Sequence, residues 1–272
     1  GELMMRYGII NPLQREYALQ KQAIEGGRLG NILVEHGLAS EAQIARFLAS
    51  QHGHSYVEIA TIDTPAPEVL TIFNRDLCLT HGFLPLQRTE DALDVVLGNG
   101  DPRTVADLVL RRTGLKTRFQ QGEFTRVARA IRQHFYFTQN PIEDLLAREM
   151  RRLADDPDRA YSPERMLDYL LHLAVRDRAT DIHFAPAANS LHVLFRVDGL
   201  LRPKFALPPV LNRLLAYIKL SAEMDVAEQR LPQDGSFTAT ILDAPATLRV
   251  STLIAEYGER MVLRILPGRS EL

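Results

Sequence analysis

The chain has 272 residues, 46% of them hydrophobic and 24% charged, with a formal net charge of −2. That length holds two or three domains with apolar cores of their own, and the near-neutral balance excludes the basic excess of nonspecific nucleic-acid binders. No apolar run approaches the roughly 20 residues that span a bilayer, and no signal-peptide pattern opens the chain, so any membrane attachment is expected through a partner. The single cysteine, Cys78, has no internal disulfide partner, which fits a reducing cytoplasm; within Asp76-Leu-Cys-Leu79 it reads as a buried thiol.

The first 22 residues repeat 29 positions later: Gly1 falls on Gly30, Gly8 on Gly37, Gln14 on Gln43, Leu19 on Leu48 and Gln22 on Gln51. Chance supplies about one such identity at average residue frequencies. Each copy reads as a short helix, a turn and a second helix. Gly8 and Gly37 suit the left-handed residue that closes a helix. Asn11 and Ser40 suit the N-caps that follow, with Pro12 in a first turn. Leu19, and in copy two Ile44, Phe47 and Leu48, give the apolar faces. A helical packing module explains those positions. It does not explain why Gln22 and Gln51 recur, or why Arg28-Leu-Gly30 precedes a helix start, where an arginine and a close glycine suit a phosphate. Arginine also fits the O6/N7 edge of guanine.

Copy two, Arg28 to Gln51 (RLGNILVEHGLASEAQIARFLASQ), resembles the tandem motif of the MshEN module of secretion and pilus ATPases, which binds cyclic di-GMP. The resemblance implies contacts from Arg28, Leu29, Gly30, Gly37, Leu38 and Gln51, and from Gly8, Ile9 and Gln22 of copy one. Copy one departs from the motif. Its leading Arg-Leu pair is absent from this chain, and Arg15 stands where the motif has leucine. The rival reading of the module is docking onto the cytoplasmic domain of an inner-membrane platform protein, without the dinucleotide.

Further along, Phe83–Leu86 and Leu93–Leu97 read as strands around a turn at Thr89–Asp91. Asp101-Pro102 opens a helix through Leu110, and Phe124–Tyr136 reads as an amphipathic helix. Gly98-Asn-Gly100 reads as a strand-to-helix turn rather than a phosphate loop, and His52-Gly-His54 as loop histidines rather than half a metal site. Residues 138–161, with Asn140-Pro141 and Asp155-Asp-Pro-Asp158, read as a linker with an embedded helix.

Ser162-Pro163 caps an apolar-periodic helix (Met166, Leu167, Leu170, Leu171, Leu173, Ala174). Strands are expected at Thr180–Phe184 and Leu191–Val197, a turn at Asp198-Gly199, and a helix over Val210–Met224. In Leu191–Val197 the apolar residues alternate away from His192 and Arg196. Leu248 and Val250 oppose Arg249; Leu263 and Ile265 oppose Arg264. Three arginines are thereby placed on the polar face of one antiparallel sheet. An ordinary solvated face mixes acids with its arginines, whereas here the off-face neighbours read His192, Ser251 and Val262. A solvated sheet face is the plain reading; a cationic one also offers fixed donors for a polyphosphate.

Five blocks in order resemble the second N-terminal domain of the type II secretion and type IV pilus assembly ATPases. They are Ala179-Thr-Asp-Ile-His-Phe184, Phe195-Arg-Val-Asp-Gly199, Arg230-Leu-Pro-Gln-Asp-Gly235, Leu248-Arg-Val-Ser-Thr252 and Gly258-Glu-Arg-Met-Val-Leu-Arg-Ile265. The resemblance implies that Arg249 and Arg264 contact the phosphates of ATP held by a C-terminal motor domain, with Arg196 and Arg230 as further candidates. It also implies a homohexameric full-length ATPase, cytoplasmic and peripheral to the inner membrane through partners. Residues 1–272 contain no GxxxxGK[ST] loop and no GxSxG motif. Without a phosphate loop to position the phosphates and Mg²⁺, this stretch by itself is expected to hydrolyse nothing. No resident cofactor or metal is expected; ATP and Mg²⁺ enter only with the motor domain.

The expected fold is α+β. A helical tandem-motif module (1–54) precedes a small α/β part (55–137), a linker (138–161) and an antiparallel sheet with helices (162–268).

Overall fold

A computed structural model describes residues 1–58, 64–156, 160–208 and 211–267. Pro157, Asp158, Val210 and Gly268, which bound or fall within expected segments, lie outside the described residues. The chain forms two compact units, Gly1–Thr138 and Gln139–Leu272.

The first unit begins with four helices, α1 (Glu2–Arg6), α2 (Pro12–Glu25), α3 (Leu29–Glu35) and α4 (Glu41–His52). They make two copies of one helix pair, and the repeated polar residues explain how. Asn11 and Ser40 each cap the longer helix, and Gln14 and Gln43 each complete a capping box by accepting from the cap's own backbone N–H. Gly8 and Gly37 take φ of 68° and 66°, the left-handed turn that glycine adopts without strain. Met4, Ile10, Ala18, Ile32, Leu33, Ile44 and Phe47 close the module's core.

The α/β part follows as β1 (Ser55–Tyr56), α5 (Pro67–Ile72), α6 (Arg75–His81), β2 (Phe83–Arg88), β3 (Ala92–Leu97), α7 (Pro102–Thr113), β4 (Lys116–Gln121) and α8 (Phe124–Gln139). The sheet order is β1-β4-β3-β2, antiparallel only between β2 and β3. Strand β3 is central, and Leu93, Val95, Val96 and Leu97 are wholly buried, which is why it reads as an unbroken apolar run. Cys78 lies in this core, and burial pushes its thiol up to about 12. The helical module packs on the sheet through α4. Arg46 stacks 4.6 Å over the Tyr56 ring, and the Thr125 hydroxyl donates to Glu41 at 2.8 Å.

The second unit holds α9 (Ile142–Asp155), α10 (Pro163–Arg176), β5 (Asp181–Ala187), β6 (Ser190–Val197), β7 (Leu200–Leu207), α11 (Asn212–Ser221), β8 (Gln233–Ile241), β9 (Ala244–Ala255) and β10 (Gly258–Pro267). Helix α9, in the stretch read as a linker, packs against α10 and buries Ile142, Leu146 and Leu153. All six strands are antiparallel, in the order β7-β6-β5-β10-β9-β8. One face is apolar and buried, carrying Ile182, Phe184, Val193, Phe195, Leu248, Val250, Met261 and Leu263. Gly235 lets β8 approach the end of α11: a Cβ there would sit 2.4 Å from the Ala222 carbonyl oxygen.

Burial also sets an acid sensitivity. Burial lowers the pKa of His54, His134 and His183 from 6.5, aided by His52 at His54 and by Arg196 at His183. The unfolded chain then binds protons that the folded chain resists, so this stability is complete above pH 6.5 and is lost as pH falls toward the lowered values. Asp101, Glu143 and Asp181, held below 3.8, 4.5 and 3.8 respectively, add their loss only in stronger acid. Glu41, raised from 4.5 by burial, works in the opposite sense above that value. The melting temperature is expected to fall between pH 7.5 and pH 5.5; a flat profile in calorimetry across that range would contradict the assignment.

Candidate functional site

In the tandem module the structure divides the residues singled out by sequence. Leu29 and Gln51 line a cleft of about 470 Å³ together with Gly1, Arg15, Phe47 and Leu48. Arg28, the N-terminal cap of α3, lines a separate polar cleft of about 250 Å³ with His81, Asn99, Asp101 and Thr104. Gly30 packs against Ile44, where a Cβ would sit 3.1 Å from Cγ2. Ile9 and Leu38 turn partly inward against the module's core, while Gly8 and Gly37 are exposed. Gln22 donates to the Gly27 carbonyl at 2.8 Å, so its amide closes the turn after α2. Arg15 was not among the expected contacts. It lines the larger cleft, its Nε is buried without a hydrogen-bond partner, and it lies 3.7 Å from Glu2. Its signal in the sequence was its departure from the leucine of the motif.

The exposed face of the six-stranded sheet is ordered by register. Arg196 of β6 pairs with Asp181 of β5, Asp181 with Arg264 of β10, Arg264 with Arg249 of β9, and Arg249 with Ser236 of β8. These residues form one row across five strands and share one face, because paired residues point the same way. Arg249 and Arg264 are exposed, and among the described residues Arg249 makes no hydrogen bond or ion pair. Arg230 lies apart from the row, exposed in the loop before β8, with its backbone N–H donating to Glu228 at 2.5 Å.

The expectation of a face without acids is corrected here. Asp181, 2% exposed, sits between two of the arginines. Its carboxylate accepts from Arg264 Nε at 2.8 Å and from the Thr180 hydroxyl at 2.7 Å, and lies 3.4 Å from Arg196 Nε. Burial acts to raise its pKa, but the bonds from Arg264 and Thr180 and the Arg264 charge outweigh burial and hold the carboxyl below its ordinary 3.8. Asp234 adds a second acid beside Ser251, whose hydroxyl donates to it at 2.6 Å. Within β5 the acid was legible at the same parity as His183, but strand adjacency was not.

The three arginines are therefore unequal. Arg196 is tied twice, to Asp181 and through Nη1 to the Gly199 carbonyl at 3.0 Å. Among the described residues Arg264 is tied only through Nε, with its side chain 63% exposed, and Arg249 is untied. The free donor groups concentrate at the Arg249–Arg264 pair. The neighbouring His183 has a buried Nε2 without a partner, and burial followed by the Arg196 charge lowers its pKa.

The MshEN domain model matches residues 52–141, and the model described as Type II/IV secretion system protein matches residues 158–271. The chain joins an MshEN domain to a type II/IV secretion system region. The type IV pilus assembly ATPase PilB of Thermus thermophilus is 30% identical over 264 residues, which is 93% of this chain and 29% of that protein. The type II secretion system protein HxcR of Pseudomonas aeruginosa is 44% identical over 103 residues, 38% of this chain and 22% of that protein. Among solved structures, one of MshE with cdg aligns at 21% identity and a TM-score of 0.43, covering 49% of this chain and 96% of that one. The chain spans 29% and 49% of the length of the PilB relatives from Thermus thermophilus and Myxococcus xanthus. The arginine row falls within the secretion system region, whereas the cleft lined by Leu29 and Gln51 precedes the residues that the MshEN model matches. Among the described residues no helix is long and apolar enough to cross a membrane.

Proposed function

We propose that this chain is the regulatory and nucleotide-contacting region of a secretion or pilus assembly ATPase. The observation that carries this reading is the Arg249–Arg264 pair, two exposed guanidinium groups directly opposite each other on a sheet face. Directly opposed like charges destabilise a sheet, so a pair left open suits an anion that bridges them. Its ligand in this reading is the phosphate chain of ATP held by a motor domain. Arg196 has one tie too many for a leading role, and Arg230 is a peripheral contact. Turnover itself belongs to the full-length protein, because residues 1–272 contain no GxxxxGK[ST] loop.

The tandem module is proposed to bind cyclic di-GMP. A doubled motif suits a two-fold ligand, and the cleft beside Leu29 and Gln51 has apolar walls with a few polar groups, the usual character of a small-molecule site. Calorimetric titration of the dinucleotide is expected to give binding by the wild-type chain. Gln51→Ala, inside that cleft, should weaken it roughly 3- to 10-fold, the worth of a lost hydrogen bond. Identical isotherms would remove Gln51 from the site.

Docking onto the cytoplasmic domain of a platform protein is a second reading, favoured by one observation. Helix α2 exposes Leu13 (78%), Tyr17 (42%) and Ile24 (81%) along one face. The counterpart of Tyr17 in copy two, Arg46, is also exposed but spends its guanidinium on the Tyr56 ring, 4.6 Å away. Capture of that platform domain by a chain giving no heat with cyclic di-GMP would favour docking.

A further inference from the structure

The arginine row contains a buried acid on a face whose other members are exposed or half-buried. Asp181 is 2% exposed, yet its carboxylate meets Nε of two arginines from strands on either side of it. We propose that Asp181 is the positioning residue of the anion-binding arginine pair, fixing Arg264 by its Nε edge so that both Nη groups face a phosphate. This inference rests on the phosphate-contact reading of Arg249 and Arg264.

The chemistry follows from the shape of guanidinium, whose five donors lie in one plane as a rigid fork. A carboxylate that takes the Nε–H fixes the plane and leaves the outer edge free. Arg264 has this arrangement: Nε is bonded to Asp181 at 2.8 Å, and among the described residues its Nη groups bond nothing. The buried anion also offsets the repulsion between Arg264 and Arg249, which are paired in register. Thr180 holds the second carboxylate oxygen at 2.7 Å and so fixes the acid itself. The two ties on Arg196 then give it a different task, closing the far side of the carboxylate. A freely rotating arginine would lose side-chain entropy on binding an anion, and the prior bond to Asp181 removes part of that cost.

The test is calorimetric titration of inorganic tripolyphosphate into the chain and its variants. Wild type should bind, and Arg249→Ala should bind at least tenfold more weakly. Asp181→Asn should also lose about tenfold, although deleting a negative charge favours anions electrostatically. Arg264→Lys should be as weak as Arg264→Ala, because a single ammonium cannot hold Asp181 and still offer a fork. The double variant Asp181→Asn with Arg264→Lys should lose nothing beyond either single change. A role confined to folding would shift the melting temperature but leave Lys able to replace Arg at 264. Wild-type affinity in Asp181→Asn, or tighter binding, overturns the positioning role while the Arg249 result stands. Should Asp181→Asn fail to fold, wild-type affinity in Arg264→Lys overturns it equally. No binding by wild type, or none of the loss expected in Arg249→Ala, overturns the phosphate reading itself.

Discussion

Glu259→Ala is expected to destabilise the second unit by about 3–5 kcal/mol, the cost of leaving a buried charge without its partner. Lys219 lies on α11 and is 2% exposed, yet all three ammonium donors are satisfied. They reach the Glu228 carbonyl at 2.6 Å and the two Glu259 oxygens at 3.1 Å each. Glu259 is itself 11% exposed, so water can do little to replace it. The ammonium clamps three pieces of chain at once: helix α11, the loop ahead of β8, and the start of β10. Loss of amide protection in β9 and β10 by hydrogen exchange, at a denaturant concentration that wild type tolerates, is the measurement. Replacing both partners with apolar residues, Lys219→Met with Glu259→Leu, should recover most of the loss, because the desolvation of both charges disappears with them. Equal destabilisation by the single and double changes would mean that packing, and not the ion pair, holds this corner.

On the proposed phosphate-contact reading, Arg249→Ala in a full-length protein carrying this region should lower ATP turnover by about 10³-fold or more, the scale of an arginine that stabilises transferring phosphate. The same change should leave the fold unharmed or slightly steadier, since among the described residues Arg249 bonds nothing and faces the like charge of Arg264. Cross-strand terms of this kind are worth about 0.2–1 kcal/mol, so the melting temperature should rise by little. The opposite signs are diagnostic. A residue kept for stability would lose both properties together, and a solvated surface residue would lose neither. Steady-state turnover together with thermal melting distinguishes the three cases, and unchanged turnover would remove Arg249 from the phosphate site.

Much of the fold was legible because it is written in local spacing. The capped starts at Asn11, Ser40 and Ser162 and the left-handed glycines at 8 and 37 are decided within one helical turn. The parity of Arg196, Arg249 and Arg264 is a property of each strand alone. Less legible were β4, a polar run (KTRFQQ) that becomes a strand by pairing with β3, and the strands β7 and β8. Helix α9 was legible as a helix embedded in residues 138–161; that it buries three apolar positions and packs against α10 was not.

The sequence by itself determined the doubled helical motif, the α+β character and the common face of three arginines, because periodicity and capping act between near neighbours. Only the tertiary structure decided that Asp181 stands between Arg196 and Arg264, that Arg249 is untied among the described residues, and that Arg28 and Arg15 line different clefts. The reason is strand order. Residues 181, 196, 249 and 264 meet through hydrogen-bonded ladders between distant segments, and a ladder's partner is chosen by the burial of the whole apolar face rather than by any pattern within the strand.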